Sequence, residues 1–322
     1  MNLDLSIVIV SYKCRDELAD CLASLAPERF GVSLDVTVID NASGDGTAEM
    51  VRDRFPAVRF IANDVNRGFA AANNQGIAEA AGRHLLFLNP DTVVRDGALE
   101  ALVQALEEDE SIGACGPQLV GPDGRIQASV RALPTFAALL HQYTPLRLLG
   151  VLRGAYRRYR VRDFDYTRAA DVDALMGAAL CVPRRVLDQV GRFDERFFVY
   201  FEEVDLCRRI RDAGYRNCFV PEATVTHVGG VSASRGAASL YLCRSMFRYL
   251  RKHNRALKRW TGLPALWPGM MVREAFQVLA AGVSAVCLAL AGQRDRAGRR
   301  ARRARSAAAF LFCNAWRVLL GV

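Results

Sequence analysis

The 322-residue chain has no Cys-x-x-Cys pair, no glycine fingerprint after its first apolar run, no internal repeat and no low-complexity tract. Each absence removes a class of function. Zinc ribbons and dithiol redox sites need closely spaced cysteine pairs. The nine cysteines (Cys14, Cys21, Cys115, Cys181, Cys207, Cys218, Cys243, Cys287, Cys313) are scattered, mostly among apolar neighbours, and read as small core residues of a reduced protein. A dinucleotide-binding Rossmann unit needs Gly-x-Gly-x-x-Gly after strand one, where this chain has Ser11-Tyr12-Lys13-Cys14-Arg15-Asp16. No basic stretch precedes the apolar run Leu5–Val10, which is too short for a secretory signal core, so a cytoplasmic location is expected. Acidic residues are scarce in one region. Residues 241–322 hold sixteen Lys and Arg against Glu274 and Asp295, a net +14 that leaves −5 for the first 240 within the overall +9.

What is present suits a folded α/β protein: 51% of residues are hydrophobic and 24% charged, enough to bury a sizeable core. Leu5–Val10 is a β-branched run expected to be a strand buried on both faces. Helical spacing over 16–25, a strand at Val36–Ile39, helix 48–55, strand Val58–Ala62, helix 69–81, strand His84–Leu88 and helix 97–108 follow. Strands and helices alternating at this pace predict βαβ units and a mostly parallel sheet flanked by helices. From 121 to 170 the regularity weakens into a loop-rich excursion with an arginine-rich stretch at 153–162. Order returns at Val172–Val182, with helices near 183–190 and 203–213 and a strand at Asn217–Val220. Tyr241–Asn254 reads as a basic helix.

Polar residues gather at the expected C-terminal ends of the strands, where open α/β sheets bind ligands. Ser11-Tyr12 closes the first strand and Asp40-Asn41 the second, followed by the turn Ser43–Thr47 that includes Asp45. A carboxylate at position 40 can accept from a pyrimidine imide or a ribose hydroxyl; it can equally cap the turn. In Asn66-Arg67-Gly68, ahead of a small-residue helix that carries Asn73, glycine permits close ligand approach and Arg67 can meet a base or phosphate. Leu88-Asn89-Pro90-Asp91 delivers a carboxylate suited to a hard divalent cation that bridges to a diphosphate, although Pro-Asp is also an ordinary turn. Glu202, Glu203 and Asp205 open a helix behind the aromatic run Phe197–Phe201. Acids favour a helix N-terminus, but a carboxylate beside a dry cleft can also serve as a general base. His227 follows a strand and can return to the same cleft.

The ordered set Ser6–Tyr12, Val38–Thr47, Asn66–Gly76, Leu88–Asp91, Met176–Leu180 and Phe193–Arg208 resembles the family 2 glycosyltransferases of the GT-A fold, and among them the rhamnosyltransferase-like branch. The resemblance implies a catalytic GT-A domain over 1–240. It implies transfer, with inversion, of a sugar from a nucleotide diphosphate donor to a glycan or lipid-linked acceptor of the cell envelope. The first guess for the donor is dTDP-rhamnose, with a UDP-hexose or UDP-galactofuranose second. Ser11, Tyr12, Asp40 and Arg67 would hold the nucleoside, with Asn41, Asp45 and Asn73 beside them. Asp91 would be the second acid of the metal motif, and His227 the late metal-binding histidine for Mg2+ or Mn2+. Asn89 replaces the first acid, which weakens the metal site. Glu203 stands where the catalytic base is usual, with Glu202 and Asp205 as neighbours.

The basic extension 241–322 contains two apolar stretches, Ala275–Gly292 and Ala307–Val322, separated by seven arginines from Arg294 to Arg305. It is expected to be helical and to lie at an anionic membrane surface, or to serve as an oligomerisation tail. Two other functions compete. A non-catalytic nucleotide-sugar-binding module would lack Glu202, Glu203 and Asp205. A nucleic-acid-binding protein would carry a basic main domain, whereas this one is net acidic, so no nucleic-acid partner is expected.

Overall fold

The computed structural model describes residues 3–229 and 235–253, together with isolated helical positions between 269 and 301. Its strands are β1 (Leu5–Ser11), β2 (Leu34–Asp40), β3 (Arg59–Ala62), β4 (His84–Leu88), β5 (Thr92–Val94), β6 (Ile112–Val120), β7 (Val130–Arg131), β8 (Ala170–Val172), β9 (Ala174–Leu175), β10 (Ala179–Pro183) and β11 (Arg216–His227). Its helices are α1 (Arg15–Ala23), α2 (Thr47–Arg54), α3 (Phe69–Glu79), α4 (Ala98–Glu108), α5 (Phe136–Tyr143), α6 (Arg153–Arg160), α7 (Arg184–Val190), α8 (Glu202–Asp212) and α9 (Arg235–His253).

A nine-stranded sheet runs in the order β3-β2-β1-β4-β10-β6-β11-β5, with β8 paired to β11. Every residue of β1 and β4 is buried. The pleat explains these unbroken apolar runs, because alternate side chains enter separate cores on the two faces. Leu5, Ile7 and Ile9 meet Leu18 and Leu22 of α1 and Leu99, Leu102 and Leu106 of α4. Val8 and Val10 meet Ala70, Ala72 and Ile77 of α3, in a cluster that continues to Leu187, Leu206 and Ile210. Burial of these side chains contributes roughly 1.5–3 kcal/mol each.

The parallel order expected from the alternation holds over β3-β2-β1-β4 and between β6 and β11. Between these blocks β10 runs antiparallel to both neighbours, so the sheet is mixed. Periodicity reports burial, not direction, and gives no sign of this insertion. Two further differences shape the site. β11 continues through a register shift after Val220 to His227, well past the expected end at Val220. The short β5, not anticipated at all, pairs antiparallel with it, setting Thr92 opposite His227.

The chain divides into two compact units: residues 1–133 with 160–232, and residues 134–159 with 233–322. The boundary expected near 240 therefore falls inside α9, and part of the stretch read as loop-rich contains α5 and α6. In the second unit, α9 begins ahead of the expected Tyr241 and buries Cys243, Met246, Phe247, Tyr249 and Leu250. Apart from isolated positions, the arginine cluster and both apolar stretches of the extension lie outside the described residues. No helix among the described residues is long and apolar enough to cross a membrane.

Candidate active site

The ends of β1, β2 and β4 and the loop before α8 bring most of the expected residues to one edge of the sheet. Beyond the β1–β2 ladder, the Asn41 N–H donates to the Ser11 carbonyl (2.9 Å). The Asp40 carboxylate accepts from the Ser43 N–H at 3.0 Å and from the Ser43 hydroxyl. It thus caps the turn, while the remaining lone pairs of a carboxylate leave capacity for a ligand. Asn41 is a buried hub: Nδ2 donates to the Gly68 carbonyl (3.2 Å) and Oδ1 accepts from Asn63 Nδ2 (2.9 Å). These bonds fix the Asn66–Gly68 loop against β2, leaving Arg67 exposed at its tip. Tyr12 is half-buried beside the strand end. Asp45 accepts from the Thr47 N–H (3.2 Å) and hydroxyl at the start of α2.

Gly68 shows why this loop needs glycine. Its φ is +85°, and a Cβ there would lie 2.5 Å from the Phe198 carbonyl oxygen. The next amide, Phe69 N–H, donates to that same oxygen (2.6 Å). The Asn66–Gly68 loop is therefore joined to the segment leading into the acids.

After β4, the Asn89 N–H donates to the Ala178 carbonyl (2.9 Å). The Asn89 side chain is half-buried and makes no hydrogen bond among the described residues. Asp91 is buried; its Oδ2 accepts from the Gly229 N–H (3.0 Å) and its Oδ1 lies 3.6 Å from His227 Nε2. Burial lowers the His227 pKa against the opposing pull of Asp91, which keeps the ring neutral and able to act as a ligand. Gln127, 100 residues away in sequence, sets the tautomer. Its Nε2 donates to the His227 carbonyl (2.7 Å) and its Oε1 lies 2.9 Å from His227 Nδ1. A carbonyl can only accept, so the amide orientation is fixed and Nδ1 must carry the proton. The Nε2 lone pair is then directed towards Asp91.

Glu202 and Glu203 begin α8, where Tyr200 (φ +70°) and Phe201 (φ +68°) turn the chain through two consecutive left-handed positions. Neither is glycine, so the surrounding structure must hold this costly backbone in place. Glu203 packs on Gly177, whose Cβ would lie 3.3 Å from its side chain, and Gly177 adjoins the Ala178 that holds Asn89. Burial pushes the Glu202 carboxyl well above its ordinary range, reinforced by the Glu203 charge. Burial also raises Glu203, while backbone N–H groups at the start of α8 pull it back. Of the two, Glu203 ionises first. One oxygen of each, Oε2, is buried with no hydrogen-bond partner among the described residues.

Two expected residues serve the scaffold instead. Asp205 is fully buried and pairs with Arg209 (2.9 Å), whose guanidinium also donates to the carbonyls of Val190, Gly191 and Arg192. Asn73 lies on the buried face of α3 and donates to the Phe69 carbonyl (2.9 Å), tying down the first turn of its own helix. Neither is carried into the chemistry below.

Residues 6–168 match the model of the family described as glycosyl transferase family 2. The N-acetylglucosaminyl-diphospho-decaprenol L-rhamnosyltransferase of Mycobacterium tuberculosis is 33% identical over 299 residues, covering 85% of this chain and 94% of its own.

The chain belongs to glycosyl transferase family 2.

A more distant relative of this family 2 glycosyltransferase is the low-salt glycan biosynthesis hexosyltransferase Agl10 of Haloferax volcanii, 25% identical over 212 residues, 65% of this chain and 62% of its own. Among solved structures, the mannosyltransferase PcManGT from Pyrobaculum calidifontis, in complex with GDP-Man and Mn2+, superposes with a TM-score of 0.54 at 17% identity over 98% of this chain and 88% of its own. GalNAc-T7 with UDP, GalNAc and Mn2+ gives 0.56 at 18% over 77% and 48%. These likenesses establish the fold as GT-A.

Proposed function

We propose that this glycosyltransferase moves L-rhamnose from dTDP-rhamnose, with inversion, to a hydroxyl of a lipid-linked glycan acceptor in cell-envelope polysaccharide synthesis. The observation that carries the reading is the proximity of two groups. The Asp91–His227 pair and the raised-pKa Glu203 are linked through Asn89, Ala178 and Gly177. Similarity to a decaprenol-linked rhamnosyltransferase over most of both chains supports the sugar and the acceptor class.

Asp40, with Tyr12 and Arg67 at the rim, faces the nucleoside, and Asn41 keeps the Arg67 loop in register. Asp91 and His227 suit a divalent cation in their chemistry: one hard oxygen and one neutral ring nitrogen whose other nitrogen is anchored. Among the described residues no group of three or more His, Cys, Asp or Glu could hold a metal alone. The remaining positions would therefore fall to donor diphosphate and water, the usual arrangement for Mg2+ or Mn2+. A nitrogen ligand favours Mn2+ of the two. When bound, the cation supplies charge neutralisation for the departing diphosphate.

Glu203 accepts the proton of the acceptor hydroxyl. The freed oxygen forms its bond to the anomeric carbon on the face opposite the diphosphate, whose C–O bond breaks, and configuration inverts. Burial and the Glu203 charge both disfavour the charged form of Glu202, which opposes a second negative charge beside the base. Arg67, exposed at the loop tip, meets a base or a phosphate oxygen of the donor, an electrostatic contribution commonly large in transfer chemistry. The basic extension 241–322 is assigned to the inner face of the membrane, where a lipid-linked acceptor resides.

The test is a transfer assay with dTDP-rhamnose, UDP-hexoses and UDP-galactofuranose, with and without Mn2+, on a short-chain N-acetylglucosaminyl diphosphate lipid. Product from dTDP-rhamnose with inverted anomeric configuration is expected. Turnover of only a UDP-sugar would overturn the donor assignment, and retained configuration would overturn the mechanism.

A further inference from the structure

A surface in the second unit carries chemistry that sugar transfer does not use. After α5 the chain turns through Pro145–Arg147 and presents Leu148, Leu149, Val151 and Leu152 to solvent, the first two 72% and 76% exposed. α6 follows at once, with Arg153, Arg157 and Arg158 exposed and Ala155, Tyr156 and Tyr159 half-buried. From Pro134 to Tyr159 the sequence holds four arginines and no acidic residue.

This is a built element. His141 of α5 anchors it twice, with Nδ1 at 2.5 Å from the Val151 carbonyl and its ring 5.0 Å from that of Tyr156. Several backbone N–H groups find their acceptors within the segment. Leu148 N–H donates to Pro145 (2.8 Å), Leu149 to Leu146 (3.1 Å), Gly150 to Arg147 (3.3 Å), Arg153 to Gly150 (3.3 Å) and Tyr156 to Leu152 (3.2 Å). Donors satisfied in this way, including those of Leu148 and Leu149, can enter an apolar phase without being stranded.

We infer that Pro145–Tyr159 is a docking element for an anionic phospholipid bilayer, its leucines entering the acyl boundary and its arginines meeting lipid phosphates. The pairing of an exposed apolar turn with a cationic helix face matches the two-layer chemistry of a headgroup region over hydrocarbon. A nucleic acid would satisfy the arginines but offers no apolar phase for Leu148 and Leu149. The inference deepens the membrane part of the proposed function, locating lipid contact on this segment separately from the basic extension.

The test uses the full-length protein in flotation with vesicles of phosphatidylcholine, with or without phosphatidylglycerol. Wild type should partition at least about tenfold better into the anionic vesicles. Leu148→Asp/Leu149→Asp and Arg153→Glu/Arg158→Glu should each lower that partition by about tenfold or more. Leu149→Trp should show blue-shifted fluorescence on vesicle addition. Thermal melts and Mn2+-dependent dTDP binding, unchanged in all variants, confirm that the fold and donor site are intact. Wild-type failure to bind dTDP would sink the donor reading and leave the docking measurement standing. Equal flotation of wild type and variants, or no preference for anionic lipid, overturns the docking element. So does a change of oligomeric state in the leucine variant, which would assign the face to a second copy of the chain.

Discussion

Gln127 makes two hydrogen bonds to one residue and none to any reacting group, so its removal isolates the value of holding His227 in place. The bonds are 2.9 Å at Nδ1 and 2.7 Å at the main-chain carbonyl. Each neutral hydrogen bond contributes about 0.5–1.5 kcal/mol net, so the pair represents about 1–3 kcal/mol. Loss of an outer partner of a metal-bound histidine typically weakens metal affinity about 10–100-fold, equivalent to about 1.4–2.7 kcal/mol. The two ranges agree. Gln127→Met, similar in shape but unable to make either bond, is therefore expected to raise the Mn2+ dissociation constant about 10–100-fold in the presence of saturating dTDP. Gln127→Glu keeps an acceptor for Nδ1–H but loses the donor to the carbonyl, and should fall between wild type and Gln127→Met. The measurement is titration of free Mn2+ by electron paramagnetic resonance. If Gln127→Met binds Mn2+ as wild type does while His227→Ala binds it poorly, the positioning argument is wrong. If His227→Ala also binds normally, the metal pair itself is misassigned.

Glu203→Gln should preserve dTDP binding while transfer falls below about a thousandth of wild type, read by product formation at saturating donor. The raised Glu203 pKa gives the rate an acid limb, with activity rising as pH passes upward through that pKa. Glu202→Gln replaces a carboxyl whose charge is not a cause of that shift, and should leave the limb where it stands in wild type, as a pH profile of kcat/KM would record. Asp91→Ala should abolish the Mn2+ enhancement of dTDP binding in calorimetry while leaving metal-free binding within about threefold, since removing one ligand of two dismantles the cation site. Gly68→Ala combines a left-handed φ with a carbonyl 2.5 Å from the new methyl, and should lower stability by about 1–3 kcal/mol in denaturant melts.

β1 and β4 were legible because each is a mostly apolar run, buried throughout, that ends in a polar cluster, the mark of a parallel sheet covered on both faces. Asp40, Asp91, Glu203 and His227 could be named because each stands at such an end or at a helix start. The partners that give them their properties could not. Gln127 sits in the stretch that reads as loop, and its value depends on a contact 100 residues away. β5 is three residues long, too short to show a period, yet its pairing with β11 sets Thr92 opposite His227. Asp205 has the same sequence signature as Glu203, two residues along. Only the location of Arg209 assigns it to the scaffold. The left-handed pair Tyr200–Phe201 breaks a local rule that sequence reasoning relies on, and it does so beside the acids.

The cysteines carry a consequence for handling the protein. Seven of them (Cys14, Cys21, Cys115, Cys181, Cys207, Cys218 and Cys243) are buried thiols, and Cys287 alone is exposed among the described residues. Burial holds the Cys21 and Cys207 thiols up at about 12. Thiolate is the species that reacts with oxidants and alkylating agents. The interior sulfur is therefore inert while the domain stays shut and becomes reactive when it opens. Among the cysteines of the described residues, a thiol reagent added to the folded enzyme will mark Cys287 at once and the seven interior groups only as fast as the molecule unfolds, giving it a built-in clock for its own opening.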